Sequence, residues 1–430
     1  MTFNMELTQS YLTLLREETL PAIGCTEPVA VALCAAEASA CLLKEPYRLH
    51  LEVSPYILKN GIHVGIPGTA GLTGLDLACA LGSLLPHPEK QMTILGDVSD
   101  EKLSKAKAIV QSGSVSVRSA DTPYKVWVDV RIDAADGHWA RAVIQGTHTH
   151  VLLVEKDGQP LRTDRCQESE SRDMPAITLE SVYAFATTVS QADLEFLDEI
   201  IRVNTRIACE GLARDYGLCV GRRLANSPDA AQQVIAVTAA AADARMSGCQ
   251  LPVMTNMGSG NQGITASLPV IETAHLLGAS HEQLLRALAI SELVAMEVKT
   301  HIGRLSALCG CSISAAIGAA SAMVFLRGGN FEQIAYAVNM MVGDVTGIIC
   351  DGAKPGCALK IATAVSAAQR AAVLALSLEH TVQPYGIVSS DVEATIQNLG
   401  TLGRDGMGNA NDVVLRMMLD GQHDENVLRL

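Results

Sequence analysis

The chain has 430 residues, 48% of them hydrophobic but only 3% aromatic, and a formal charge of −14 at pH 7. That acidity repels phosphate backbones and argues against a nucleic-acid partner. With so few rings the core must be closed by Ala, Val, Leu, Ile and Met, which suits close-packed helices better than a β-sandwich, and the length predicts two or three domains.

In chain order, residues 1–45 read as helical, broken at "LPAIGCTEP", where Thr26 can cap the next helix and Pro28 fits its first turn. The first twenty residues show no basic segment leading into an apolar run, so no signal peptide is expected. From about 46 to 155 the pattern changes. "YRLHLEVSP", "VSVRSADTPYKVWVDVRIDA" and "WARAVIQGTHTHVLLVEKDG" alternate as strands do, while "DLACALGSLLP" and "EKLSKAKAIVQSG" read as helices. Between Ser54 and Leu75, "SPYILKNGIHVGIPGTAGLTGL" reads as a polar, glycine-turned loop holding Lys59, Asn60 and His63. His148 falls at a strand end, a common place for a working side chain.

The stretch 158–180 is polar, carries two prolines and reads as a linker. Beyond it the chain is Ala-rich and nearly all helical. The expectation is α+β: an N-terminal α/β domain with a mixed sheet over 1–160, its first 45 residues packing on a larger all-α domain over 181–430. "ALCGCSISAAIGAASAMVFL", 307–326, is uncharged over twenty residues and long enough to span a bilayer. Its Ala, Gly and Ser content and the flanking Arg304 and Arg327 favour a helix buried in the helical domain. A cytoplasmic protein without a membrane partner is expected.

Three loops interrupt the helical half. "VMTNMGSGNQGITASLP", 253–269, offers clustered N–H groups and side-chain amides at a helix start, a setting for a carboxylate or other small anion, but it matches no nucleotide-binding fingerprint. "LCGCSIS" carries Cys309 and Cys311. "GIICDGAKPGC" carries Cys350 and Cys357, and Cys357 opens a helix, where the dipole favours thiolate. Of twelve cysteines, Cys34 and Cys41 read as core filler, Cys79, Cys166, Cys209, Cys219 and Cys249 stand alone, and Cys25, Cys309, Cys311, Cys350 and Cys357 lie beside Gly or Pro turns. In a cytosolic chain such clusters point to metal or catalysis. Spacing alone fits no zinc or ferredoxin pattern, so it leaves buried thiols, a disulfide and metal ligands all open.

Taken together, "GCTEP" at 24–28, "KNG" and "VGIPGT" within 59–69, "MGSGNQGITASLPV" at 257–270, "RLSALC" at 304–309 and "GDVTGIICDGA" at 343–353 resemble the L-cysteine desulfidase family, itself similar to the α-region of iron–sulfur L-serine dehydratases. The resemblance covers almost the whole chain. It implies a lyase with a [4Fe–4S] cluster and no pyridoxal phosphate, converting L-cysteine to pyruvate, ammonia and sulfide. L-serine dehydratase chemistry on the same scaffold is the alternative, and a non-catalytic iron–sulfur redox sensor a second one. The implied ligands are Cys309, Cys350 and Cys357, with Cys311 competing with Cys309. Three ligands leave one iron open to act as Lewis acid. Cys25 is then the base at Cα or a cap on the fourth iron. Ser259, Asn261, Gln262 and Thr265, followed by Lys59 and Asn60, are the candidates to hold the amino-acid substrate. A homodimer is the only protein assembly considered.

Overall fold

The computed structural model describes residues 5–85, 87–164, 176–377 and 383–420; residues 165–175 of the stretch read as a linker, Cys166 among them, lie outside these. The first region holds helices α1 (Met5–Glu18), α2 (Thr26–Leu42), α3 (Pro55–Gly61), α4 (Leu75–Ser83) and α5 (Asp100–Gln111). Its strands are β1 (Pro21–Ala22), β2 (Arg48–Val53), β3 (Val115–Ser119), β4 (Trp127–Asp133), β5 (Trp139–Gln145), β6 (Val151–Lys156) and β7 (Gln159–Thr163). Six of these strands form one mixed sheet in the order β3-β2-β4-β5-β6-β7. β2 and β3 run parallel and the other pairs antiparallel.

Alternation decides which side of the sheet is wet. In β2, Leu49, Leu51 and Val53 point inward while Arg48, His50 and Glu52 point out. The inner face, with Val128, Val130, Ile132, Ala140, Ala142 and Ile144, packs on α2 and α4. α2 is apolar all round because it lies between the sheet and α4, where Gly82 touches the Ala32 backbone so closely that a Cβ would sit 2.2 Å from its carbonyl oxygen. The outer face carries charge pairs such as Arg141 with Asp129 and Glu155.

The rest is helical: α6 (Leu179–Thr188), α7 (Gln191–Leu194), α8 (Asp198–Ala213), α9 (Val220–Leu224), α10 (Ala230–Met246), the short strand β8 (Val253–Met254), α11 (Gly260–Leu277), α12 (His281–Ile302), α13 (Ser314–Leu326), α14 (Phe331–Val345), α15 (Cys357–Ser377), α16 (Val392–Thr401) and α17 (Ala410–Asp420). The architecture is thus α+β, a mixed sheet region followed by a largely helical one. Small residues let these helices approach closely: a Cβ at Gly211 in α8 would lie 2.0 Å from the Ala240 carbonyl oxygen of α10. α13 is buried on all sides, from Ser314 through Val324. α15 alone among the described helices is long and apolar enough to cross a membrane, and it packs into the helical core along Ile361, Val365, Ala368 and Ala372.

Several local expectations change. The first 45 residues divide between the two cores: α1 joins the helical core through Tyr11, Leu12 and Leu15, and α2 joins the sheet. The chain read as a loop after Ser54 starts as a helix, because Ser54 accepts from the Ile57 N–H and Pro55 occupies the first turn. β7 enters the stretch read as a linker. The cap of α2 is Cys25 rather than Thr26, whose hydroxyl donates to Glu27 instead.

Candidate active site

Backbone pairing brings Cys25 to the helical half. β1 and β8 form an antiparallel pair with Pro21 opposite Met254 and Ala22 opposite Val253, extended by Thr255 N–H to Leu20 O and Met257 N–H to Glu18 O. The "GCTEP" turn is thereby laid against the glycine-rich loop. Gly24 sits at φ +79°, and a Cβ there would strike the Pro67 ring at 2.4 Å, which ties this turn to "VGIPGT". A second zip joins the two later cysteine loops: Leu308 bridges Ile349, with Cys309 N–H donating to Ile348 O and Cys350 N–H to Ala307 O. Gly352, at φ +89°, is pressed against the Lys59 carbonyl oxygen.

These contacts close a cavity of about 130 Å³ between the two regions. It is small beside the roughly 300–1,000 Å³ of drug-sized sites, which suits a small metabolite. Cys25, Asn60, Ser259, Asn261, Cys309, Cys350 and Cys357 all line it. Lys59, Gln262 and Thr265 do not. Lys59 is buried behind the wall, its ammonium donating to Cys350 O (3.1 Å) and Asn411 Oδ1 (2.6 Å). Gln262 donates through Nε2 to Asn256 Oδ1 (2.6 Å), and its Oε1, without a partner, faces Gly310. Thr265 is wholly buried in α11.

Cys25 donates its thiol hydrogen to Glu27 Oε2 (2.8 Å). Burial, then the Glu27 charge, pushes the Cys25 thiol well up, so the resting group is a neutral thiol. Burial also works against the Glu27 carboxylate, but His148, the Cys25 hydrogen bond, its own backbone N–H and the Asn60 amide together hold it below its ordinary value. His148 Nε2 stands 3.9 Å from Glu27 Oε1, and burial keeps that imidazole below its usual pKa.

The other cavity thiols differ from the sequence expectation, and they are not remote from Cys25: Cys357 packs in one cluster with it, and Cys350 Sγ lies 3.9 Å from Asn60 Oδ1. Cys357 opens α15, yet burial and the neighbouring Cys309 and Cys350 push it up to about 12, overriding the dipole. Cys309 is the acidic one, brought down to about 6, first by the Cys311 thiol at 3.4 Å and then by Ser312 and Lys360, against its burial. Cys311 lies beside Cys309, as its place two residues away leads one to expect. Lys299 ends among Cys309, Cys311 and Cys350; burial pulls it down to about 8 although these thiols favour its charge. Among the described residues no three His, Cys, Asp or Glu side chains are gathered at metal-ligand spacing.

The cavity's other charges escape motif reading. Lys360 is paired with Asp351, and Arg304 with Glu18 (2.6 Å). Arg245, 3% exposed, donates to Asn261 Oδ1 (3.0 Å) and to Gly24 O (2.8 Å). The available signal was a basic residue within an Ala-rich or apolar helical run, beside a single carboxylate, as Arg245 is in "AAAADARM" and Lys299 in "LVAMEVKTHI".

Residues 89–416 match the family model described as serine dehydratase alpha chain. A UPF0597 protein of Clostridium perfringens is 40% identical over 419 residues, covering 95% of this chain and 98% of the relative. One from Oleidesulfovibrio alaskensis is 42% identical over 420 residues (95% and 97%), and one from Porphyromonas gingivalis 39% identical over 427 (95% and 98%). The matches span the helical half with its cysteine loops and nearly all of the sheet region, and the chain belongs to the serine dehydratase alpha chain family.

Proposed function

We propose that the protein is a lyase that removes sulfide from L-cysteine by β-elimination, yielding pyruvate and ammonia. The observation that carries this is the meeting of Cys25, from the N-terminal segment, with Cys309, Cys311, Cys350 and Cys357 around one small cavity. Dehydration of L-serine on the same residues is the second reading, and the family description favours it. A cytoplasmic enzyme with no pyridoxal phosphate and no partner beyond a second copy goes with either.

The donor set fits an iron–sulfur cluster. Four thiols line the same cavity, two lysines lie among them to offset thiolate charge, and Cys309 already favours thiolate. Cys309, Cys350 and Cys357 would hold a [4Fe–4S] cluster, with Cys311 placed to replace Cys309. When bound, such a cluster with one iron free of protein supplies a Lewis acid for the leaving sulfur or oxygen.

The remaining chemistry belongs to the chain. Cys25 and Glu27 share one proton between two anionic sites. Glu27 is the anionic member of the pair, and Cys25, once its thiol hydrogen has left through Glu27, is the base that accepts the Cα proton. Asn60 and Thr26 keep the Glu27 carboxylate oriented through 3.1 Å hydrogen bonds. Ser259 presents its hydroxyl at the start of α11 for the substrate, and Asn261 beside it lines the cavity. Loss of the Cα proton and of HS⁻ from Cβ leaves 2-aminoacrylate, which tautomerises and takes up water to give pyruvate and ammonia. The test is anaerobic turnover of iron-loaded protein on L-cysteine and L-serine, scored by pyruvate and sulfide. Pyruvate from L-cysteine at the higher kcat/KM supports the first reading. Pyruvate from L-serine alone selects the second, and none from either overturns both.

A further inference from the structure

Arg245 is a buried cation without a counter-ion. It lies at the last turn of α10, and its guanidinium rests on the first residue of α11: a Cβ at Gly260 would be 2.3 Å from Nε. Of its five N–H groups two have acceptors, both neutral: Asn261 Oδ1 and the Gly24 carbonyl. Its Nε is fully buried and has no partner. Glu27, the carboxylate of the same cavity, already accepts from Cys25, Thr26 and Asn60. Asp243 is two residues away on the same helix, so it faces elsewhere, accepting from Gly221 N–H. A buried guanidinium left this way costs several kcal/mol unless an anion joins it. It nevertheless lines the cavity, with the N-terminal end of the 18-residue α11 beside it.

We infer that Arg245 and the first turn of α11 form a carboxylate subsite, and that the α-carboxylate of the substrate docks there. Arg245 supplies charge and a fork of donors, Ser259 a hydroxyl hydrogen, and the α11 dipole a further pull on the anion. Asn261 is a positioning residue: its Oδ1 holds the guanidinium and its Nδ2 points at Met246 Sδ (3.4 Å). The carboxylate end then lies beside the Gly24–Cys25 turn, whose Gly24 carbonyl Arg245 already contacts, and the rest of the cavity, with its thiols, is left for the leaving group. This rests on the amino-acid reading given above, but it concerns binding, and binding can be measured without turnover.

The experiment is the melting temperature of the iron-loaded protein, titrated with L-alanine, which has both charged groups and no leaving group, and with L-alaninamide, whose carboxylate is masked. L-Alanine is expected to raise the melting temperature at a concentration about 10- to 100-fold lower than L-alaninamide requires. Arg245→Gln should lose the L-alanine response, and Arg245→Lys should keep it at roughly tenfold weaker affinity. Equal responses to the two ligands, no response to L-alanine, or a folded Arg245→Gln that responds as the parent does would each overturn the subsite. If Arg245→Gln does not fold, the two ligands on the unaltered protein decide. Binding of L-alanine with no pyruvate from any amino acid would leave the subsite standing and sink the lyase.

Discussion

Cys25 and Glu27 are bound so directly that a change at one must appear at the other. In Glu27→Gln the thiol loses both the negative charge and the ionic acceptor that raise its pKa. Alkylation of Cys25 should then begin at lower pH, while turnover falls by about 10²- to 10⁴-fold, the usual cost of a lost base. An unchanged alkylation profile would remove Glu27 from the proton path. The other cavity thiols are expected to differ by position. Cys350 sits where the two cysteine loops are zipped together, so Cys350→Ala should take up no iron on anaerobic reconstitution, whereas Cys311→Ala should load and work. The Cys311 thiol is, however, the main reason Cys309 is acidic. Alkylation of Cys309 at neutral pH in metal-free Cys311→Ala should therefore slow. Iron-free Cys311→Ala beside iron-loaded Cys309→Ala would exchange their roles.

Helix contacts decide how well the cavity wall is held. Asn256, at the turn before α11, donates to Glu292 of α12 and accepts from Gln262 of α11, so one buried amide joins the two helices. Burial raises Glu292 to about 8, partly opposed by the Asn256 hydrogen bond. Between its ordinary value near 4.5 and about 8 the folded chain holds a proton that the unfolded chain has released. Glu292 therefore makes stability fall as pH rises through that window. Denaturation of the parent and of Glu292→Gln at pH 5 and pH 8 tests this: the variant should lose less stability on going to pH 8, and equal losses would refute it. At the α8–α10 crossing, Gly211→Ala must push backbones apart, since the atom in the way is a carbonyl oxygen. It should cost about 1–3 kcal/mol, read by denaturant melts.

At the scale of the whole molecule the site exists only because the sheet region and the helical region close on each other. The β1–β8 pair and the Glu18–Arg304 bridge hold one side. On the other, Lys59 of α3 links the Cys350 loop to Asn411 of α17, and Asn411 in turn donates to Tyr56 Oη. Lys59→Met leaves two buried acceptors empty. It should cost about 1–3 kcal/mol and make α17 cleavable by protease before the rest of the chain. Intact protection of α17 in that variant would show that the helix is held by its apolar contacts alone.

The sequence by itself determined the class of fold. Strict alternation around "YRLHLEV" and "KVWVDVRIDA" leaves a chain no choice but a one-sided sheet, and Ala-rich runs without aromatic residues can bury themselves only as close-packed helices. It also marked the turns, because glycines such as Gly24 and Gly352 stand where backbone must bend against another segment. What it left open was every relation between distant segments. Spacing could not say that Cys25 shares a cavity with Cys309, Cys350 and Cys357, since the β1–β8 pair that brings them together is only two residues long on each side and carries no pattern. Nor could local rules foresee the protonation of the thiols. A helix start favours thiolate at Cys357, but burial and the crowding of other thiols are stronger and arise only on folding. The same is true of Arg245: its presence in an apolar helix is written in the chain, but that it faces the cavity without a counter-ion was decided by where α10, α11 and the Gly24 turn meet.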